Sequence, residues 1–127
     1  MYKKLSFDGN AKGIAWIIDT SNKVLKQNRA HPDIYLNQLE DLQSKYVALH
    51  IGIFWGIGVF AIKDTENVEI AIHSKIMHQQ ITRGGKVDTF IEKRLGFITG
   101  LIQQRKLNII YKYTKQENPA TKLLELI

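Results

Sequence analysis

The stretch VEIAIHSKIMHQQI, residues 68–81, decides how the rest of the chain is read. Val68, Ile70 and Ile72 recur at every second position, the period of a buried strand. The pattern stops at His73-Ser74, and residues with an apolar helical pattern follow. A strand, a polar pair and a helix therefore succeed one another without a loop. His73 stands at the strand end.

Upstream, KDTEN (63–67) reads as a loop. Before it lies YVALHIGIFWGIGVFAI (46–62), apolar except for His50 and at the short limit of a membrane span. Its polar lead-in already follows helical spacing. Leu36, Leu39, Leu42, Tyr46, Leu49 and Ile53 recur at three and four, so the segment is read as a helix from about Ile34. That helix is buried and amphipathic, runs into an apolar turn and does not cross a membrane. Further upstream, residues 2–8, 14–19 and 23–28 read as three strands joined by the short turns GNAKG and TSN, an antiparallel meander. Pro32, with no amide hydrogen to donate, breaks the chain after it.

Downstream, RGGK (83–86) is a loop. Residues 88–105 form a helix through Phe90, Ile91, Leu95, Ile98 and Ile102. LNIIYKYT (107–114) is a fifth strand. A last helix starts at NPATKLLELI, with Asn118 as its cap and Pro119 in its first turn. The element order is β-β-β-α-β-α-α-β-α, in one domain over residues 1–127.

Composition narrows the class. Of 127 residues, 44% are hydrophobic and 24% charged, a balance that can bury a core. There is no cysteine, which excludes disulfides and thiolate metal sites and suits a reducing, cytoplasmic setting. MYKKLSFDG lacks the apolar run of a signal peptide. A net charge of +6 suits a polyanionic partner such as nucleic acid.

The element order, with Asp8-Gly9 closing the first strand, resembles the ribonuclease H family over nearly the whole chain. FDGNAKGIAWIID resembles a shortened form of the family's first hairpin. SKYVAL (44–49) resembles a helix motif with glutamate where Lys45 stands. IHSKIMHQQI resembles the segment with Asp-Ser where His73-Ser74 stand, and Gln80 matches a glutamine usual there. KQENPATKLLE (115–125) resembles the closing motif of a basic residue, Glu, Asn and Ala-Asp-x-Leu. The resemblance implies an α/β fold: a five-stranded mixed sheet, its first three strands antiparallel, flanked by helices. Residues 2–8 and 68–73 would then be neighbours.

Members of the family cleave the RNA strand of RNA–DNA hybrids, using four carboxylates that hold two Mg²⁺ ions. In this chain only Asp8 remains. Lys45 and His73 replace two of the others, and the last falls on Lys122, or on Thr121 if the alignment slips by one. With Lys45 and Lys122 both at the site, its charge would be about +1 where the family carries about −4. Ammonium groups repel Mg²⁺, so no catalytic residues, metal or cofactor are expected; Mg²⁺ enters only if residual nuclease activity exists. Asp8 is expected to cap its turn or pair with Lys45. Glu40, Asp41 and Glu125 could rescue a metal site only through a shifted register, and read as solvated helix charges. His50, His73 and His78 match no usual zinc spacing. Tyr113 near a loop could stack on a base.

These readings imply an inactive module that binds nucleic acid such as an RNA–DNA hybrid. The residues expected to meet phosphate are Lys12, Lys45, Lys75, Arg83, Lys86 and Lys122. Two alternatives stand beside it: a scaffold that pairs with itself or another protein through 51–62, and a residual nuclease.

Overall fold

The computed structural model describes residues 2–127; Met1 lies outside the described residues. Strands β1 (Lys3–Gly9), β2 (Gly13–Asp19) and β3 (Val24–Ala30) form the expected antiparallel meander. The first turn is tied by Asn10, whose side-chain oxygen accepts the N–H groups of Lys12 (2.9 Å) and Gly13 (3.1 Å). β4 (Asn67–Ile72) and β5 (Asn108–Tyr113) complete one sheet in the order β3-β2-β1-β4-β5. β4 lies parallel to β1 on one side and to β5 on the other. The expected neighbours, 2–8 and 68–73, are therefore paired.

One boundary differs from the sequence reading. The long helix α1 spans Asp41–Gly58 rather than starting near Ile34. Residues 33–39 are turns instead: Tyr35 and Leu36 both donate their N–H groups to the carbonyl of Pro32. Asn37 then takes φ 58° and donates to the carbonyl of Ala11. That left-handed residue interrupts the helical run, so the spacing of Leu36 and Leu39 is coincidental. The helix begins one step after Glu40, whose N–H is capped by the Gln43 side chain at 2.9 Å.

The remaining helices carry side-chain caps that fix where each starts. Ser74 caps α2 (Lys75–Arg83), Asp88 caps α3 (Thr89–Gln104) and Asn118 caps α4 (Pro119–Leu124). Helices cover both faces. On one face, Gly52 and Gly56 let α1 settle onto Leu5, Trp16 and Ile18. On the other, α4 lies over Ile17, and Asn28 donates to the carbonyl of Leu123 at 2.9 Å. α3 packs on α1, and α2 lies beside β4 and β5. The core between sheet and α1 holds Leu5, Trp16, Ile18, Tyr46, Leu49, Ile53, Ile70 and Ile72. Among the described residues no helix is long and apolar enough to cross a membrane. The apolar segment 46–62 is α1 and the turn after it.

Candidate functional site

The site forms where β1 and β4 end side by side. Gly9 closes β1 against the backbone carbonyl of Ser44, so closely that a Cβ there would collide with it. The absence of a side chain thus lets the first turn of α1 sit on the end of β1. His31 fastens the same junction, its Nε2 lying 3.0 Å from both the Asn10 carbonyl and the Ser44 hydroxyl. Burial lowers the pKa of His31, so it serves as a neutral clip.

This seating delivers Lys45 to Asp8. The Lys45 Nζ stands 3.0 Å from Asp8 Oδ1 and also donates to the Gly9 carbonyl at 3.3 Å. The expected pairing of Asp8 with Lys45 is present, and so is the turn contact: the Gly9 N–H donates to Oδ1 at 2.8 Å. Asp8 is 8% exposed, so its charge is largely removed from water and dependent on these partners.

The third partner decides between the two alignments of the closing motif, in favour of the one slipped by a residue. Thr121, not Lys122, faces the site, and its Oγ1 donates to Asp8 Oδ2 at 2.7 Å. Lys122 is 77% exposed and pairs with Glu117 at 3.4 Å. The cause is helix phase. Ala120 and Leu124 are the buried positions of α4, which turns residue 122 to the far side. Asn118 fixes that phase by donating to the Phe7 carbonyl at 2.9 Å. With Lys122 gone, Asp8 and Lys45 sum to zero, where the sequence suggested about +1.

His73 sits at the end of β4. Burial lowers its pKa; nearby Asp8 opposes the shift and Lys4 reinforces it. Its Nδ1 is buried without a hydrogen-bond partner among the described residues. Glu40 is spent on capping α1, while Asp41 and Glu125 line a shallow groove beside Lys12. None of the three is a partner of Asp8. His50 bonds Arg94 at 2.9 Å, and His78 lies 3.2 Å from the Tyr111 carbonyl, so each has a partner of its own. Tyr113 packs against His78. Among the described residues, no three His, Asp or Glu side chains converge as a metal-binding group. One carboxylate already holding an ammonium group does not fit a pair of hard dications, which need several oxygen ligands.

The other basic residues singled out are arranged around this end and along α2. Lys12 is exposed in the β1–β2 turn. Lys75 opens α2 directly after the site and Arg83 closes it. Lys86 follows Gly84 and Gly85, both at positive φ. Sequence reasoning missed the clip formed by His31 and Ser44. Its only signal was a histidine placed just before Pro32, at a chain break.

No family model and no curated protein matches this sequence. Solved structures do. The chain is similar to LC11-RNase H1 in complex with an RNA/DNA hybrid, at 17% identity and TM-score 0.74, covering 98% of this chain and 94% of that one. The N-terminal RNase H domain of rv2228c from Mycobacterium tuberculosis is 16% identical with TM-score 0.71, over 91% and 88%. RNase H1 from the archaeon Halobacterium salinarum is 11% identical with TM-score 0.71, over 91% and 87%. With the sheet order and paired strand ends described above, these likenesses establish that the chain has the ribonuclease H fold.

Proposed function

We propose that this chain is a non-hydrolytic ribonuclease H-fold module that binds nucleic acid through phosphate contacts, in the cytoplasm. The observation that carries the reading is the occupation of Asp8 by Lys45, Thr121 and the Gly9 N–H. A carboxylate held in this way has three of its roughly four lone-pair sites committed, and the ammonium beside it repels a dication. The chemistry of two-metal hydrolysis then has no ligand set, while the net charge of +6 still favours a polyanion. One solved neighbour is bound to an RNA/DNA hybrid, which makes that duplex the first ligand to try.

The test has two arms. Fluorescence anisotropy with labelled hybrid, duplex and single strand should give binding indifferent to sequence. Three or four phosphate contacts give a slope of log K on log salt near −3, a roughly hundredfold loss between about 50 and 200 mM. Incubation of the hybrid with Mg²⁺ or Mn²⁺ should leave it intact. Cleavage that survives purification and disappears in Asp8→Asn would overturn the non-hydrolytic reading. No affinity at low salt for any of the three nucleic acids would overturn the binding reading.

A further inference from the structure

The outer surface of α1 and α3 carries a feature that nucleic-acid binding does not use. In a chain that is 24% charged, residues 46–62 and 95–104 contain no Asp, Glu, Lys or Arg. These two runs belong to α1, its following turn and α3, which pack together. Apart from the buried Tyr46, the titratable group among them is His50, which stacks on Phe97 with ring centroids 5.3 Å apart.

Apolar side chains crowd the same surface. Phe54 is 54% exposed, Val59 45%, Phe60 76% and Phe97 56%. Phe54 lies one turn beyond His50 on the same strip of α1, and Val59 and Phe60 continue past its end. Phe60 takes φ 62°, a conformation costly to any residue with a Cβ, and it is presented to solvent there. Beside these projections lie stretches of bare, open helix surface. A Cβ at Gly58, Gly96 or Gly100 would meet nothing within 4 Å.

We infer that this face of α1 and α3 is the interface for a second copy of the chain, in an isologous two-fold dimer. Area supports it. At roughly 200 Å² per phenylalanine, the four exposed side chains lay open on the order of 400 Å². That is about half of what each partner buries in a standard stable interface, near 800 Å². Partly buried Ile51, Trp55, Ile57 and Leu101 border them. Self-complementarity supports it as well, because a two-fold interface places the same patch on both sides, and this patch holds both phenylalanine projections and open glycine positions where a partner's side chains can lie against the helix backbone. So does charge. Two bodies of +6 repel each other, and a face whose nearest formal charges are Arg94, bonded to His50, and Lys93, one turn before Phe97, is where they approach at lower cost. Lys63, Asp64 and Arg105, beside Phe60, would form the polar rim.

The test is sedimentation velocity on the full chain across a concentration series, with three variants. Wild type should sediment as a dimer at micromolar concentration. Phe97→Glu and Phe54→Glu should each weaken dimerisation at least a hundredfold, as central interface residues do. Phe60→Gly separates interface loss from misfolding: it relieves the left-handed strain, so it should dimerise more weakly while melting at a higher temperature. A wild type that remains monomeric up to about 1 mM overturns the inference. So does a chain that stays monomeric but pellets with phosphatidylserine vesicles, which assigns the face to a membrane. Phe97→Glu lies far from Asp8 and should keep its nucleic-acid affinity per protomer; failure of the binding reading leaves sedimentation unaffected.

Discussion

Lys45→Met tests whether the ion pair with Asp8 holds the two strand ends together. At 3.0 Å and an effective dielectric constant near 20, the attraction is about 5 kcal/mol before desolvation is subtracted. Exposed pairs retain at most about 1 kcal/mol of such an attraction, whereas breaking a buried pair costs about 3–5. Here the Asp8 side chain is 11% accessible and the Lys45 side chain 28%, an intermediate case for which about 2 kcal/mol is expected. In a domain of this size that corresponds to a fall of about 8 °C in Tm.

Urea unfolding followed by circular dichroism measures the loss, with an unchanged m-value showing that the two end states are the same. The decisive measurement is the double-mutant cycle with Asp8→Asn. That substitution removes the charge and keeps an oxygen for the Gly9 N–H. If the pair is the operative contact, the double variant should be more stable than the sum of the single effects predicts by about 1.5 kcal/mol. Effects that add within about 0.5 kcal/mol would refute the reasoning, since independent sites add to that precision. Lys122→Met is the control and should change stability by less than about 0.5 kcal/mol, because the pair it breaks lies at the surface.

Three further outcomes follow from the same geometry. Gly9→Ala should cost at least about 3 kcal/mol, seen as a lowered urea midpoint, because the new methyl meets the rigid backbone of α1 rather than a movable side chain. His50 has its pKa pushed from 6.5 down to about 4 by burial, with Arg94 adding to the shift. Its stabilisation is therefore complete above pH 6.5 and is lost as pH falls toward 4; with solvent screening it amounts to about 1–2 kcal/mol, and His50→Gln should lose less stability than wild type between those limits. The combination Lys45→Glu, His73→Asp and Thr121→Asp rebuilds a set of four carboxylates that includes Asp8 and should gain on the order of 5 °C in Tm at about 10 mM Mg²⁺. The same combination with Lys122→Asp in place of Thr121→Asp should gain nothing.

The parts of the fold legible in the sequence were those with a pattern longer than one turn. The alternation at 68–72 and the meander before Pro32 each repeat a period several times, so neither depends on one residue. The start of α1 was not legible. Leu36 and Leu39 fall on the helical spacing of Leu42 and Tyr46, but Asn37 in the left-handed region ends any helical run between them. Backbone conformation at one polar residue outweighed a periodic signal. Asp8 and Lys45 were legible as a pair because both lie in short motifs with fixed neighbours. Thr121 was one residue away from the first alignment, and on a helix one residue is about 100°. The phase was present in the chain as Ala120 and Leu124, four apart, yet α4 is only six residues long and offers one such pair. The contact of His31 with Ser44 joins positions thirteen apart through their side chains and leaves no periodic trace.

The pairing of Lys45 also changes where phosphate contacts would arise. An ammonium 3.0 Å from a carboxylate and bonded to the Gly9 carbonyl has two of its three donors engaged. Its charge is cancelled within the site, so a phosphate approaching it gains little net attraction. Lys122 pairs with Glu117 only at the exposed surface, which offsets its charge locally and weakly. Lys12, Lys75, Arg83 and Lys86 make no ion pair among the described residues, and three of them lie on or next to α2. On the proposed reading these four release the counterions. Each of Lys12→Gln, Lys75→Gln, Arg83→Gln and Lys86→Gln should make the salt slope shallower by about 0.9, while Lys45→Met should leave the slope within about 0.3 of wild type. Anisotropy titrations at four salt concentrations resolve the difference. A shallower slope for Lys45→Met than for the α2 variants would mean that Lys45 leaves Asp8 to meet the backbone, and the site would then be a switch between an internal and an external anion rather than a closed pair.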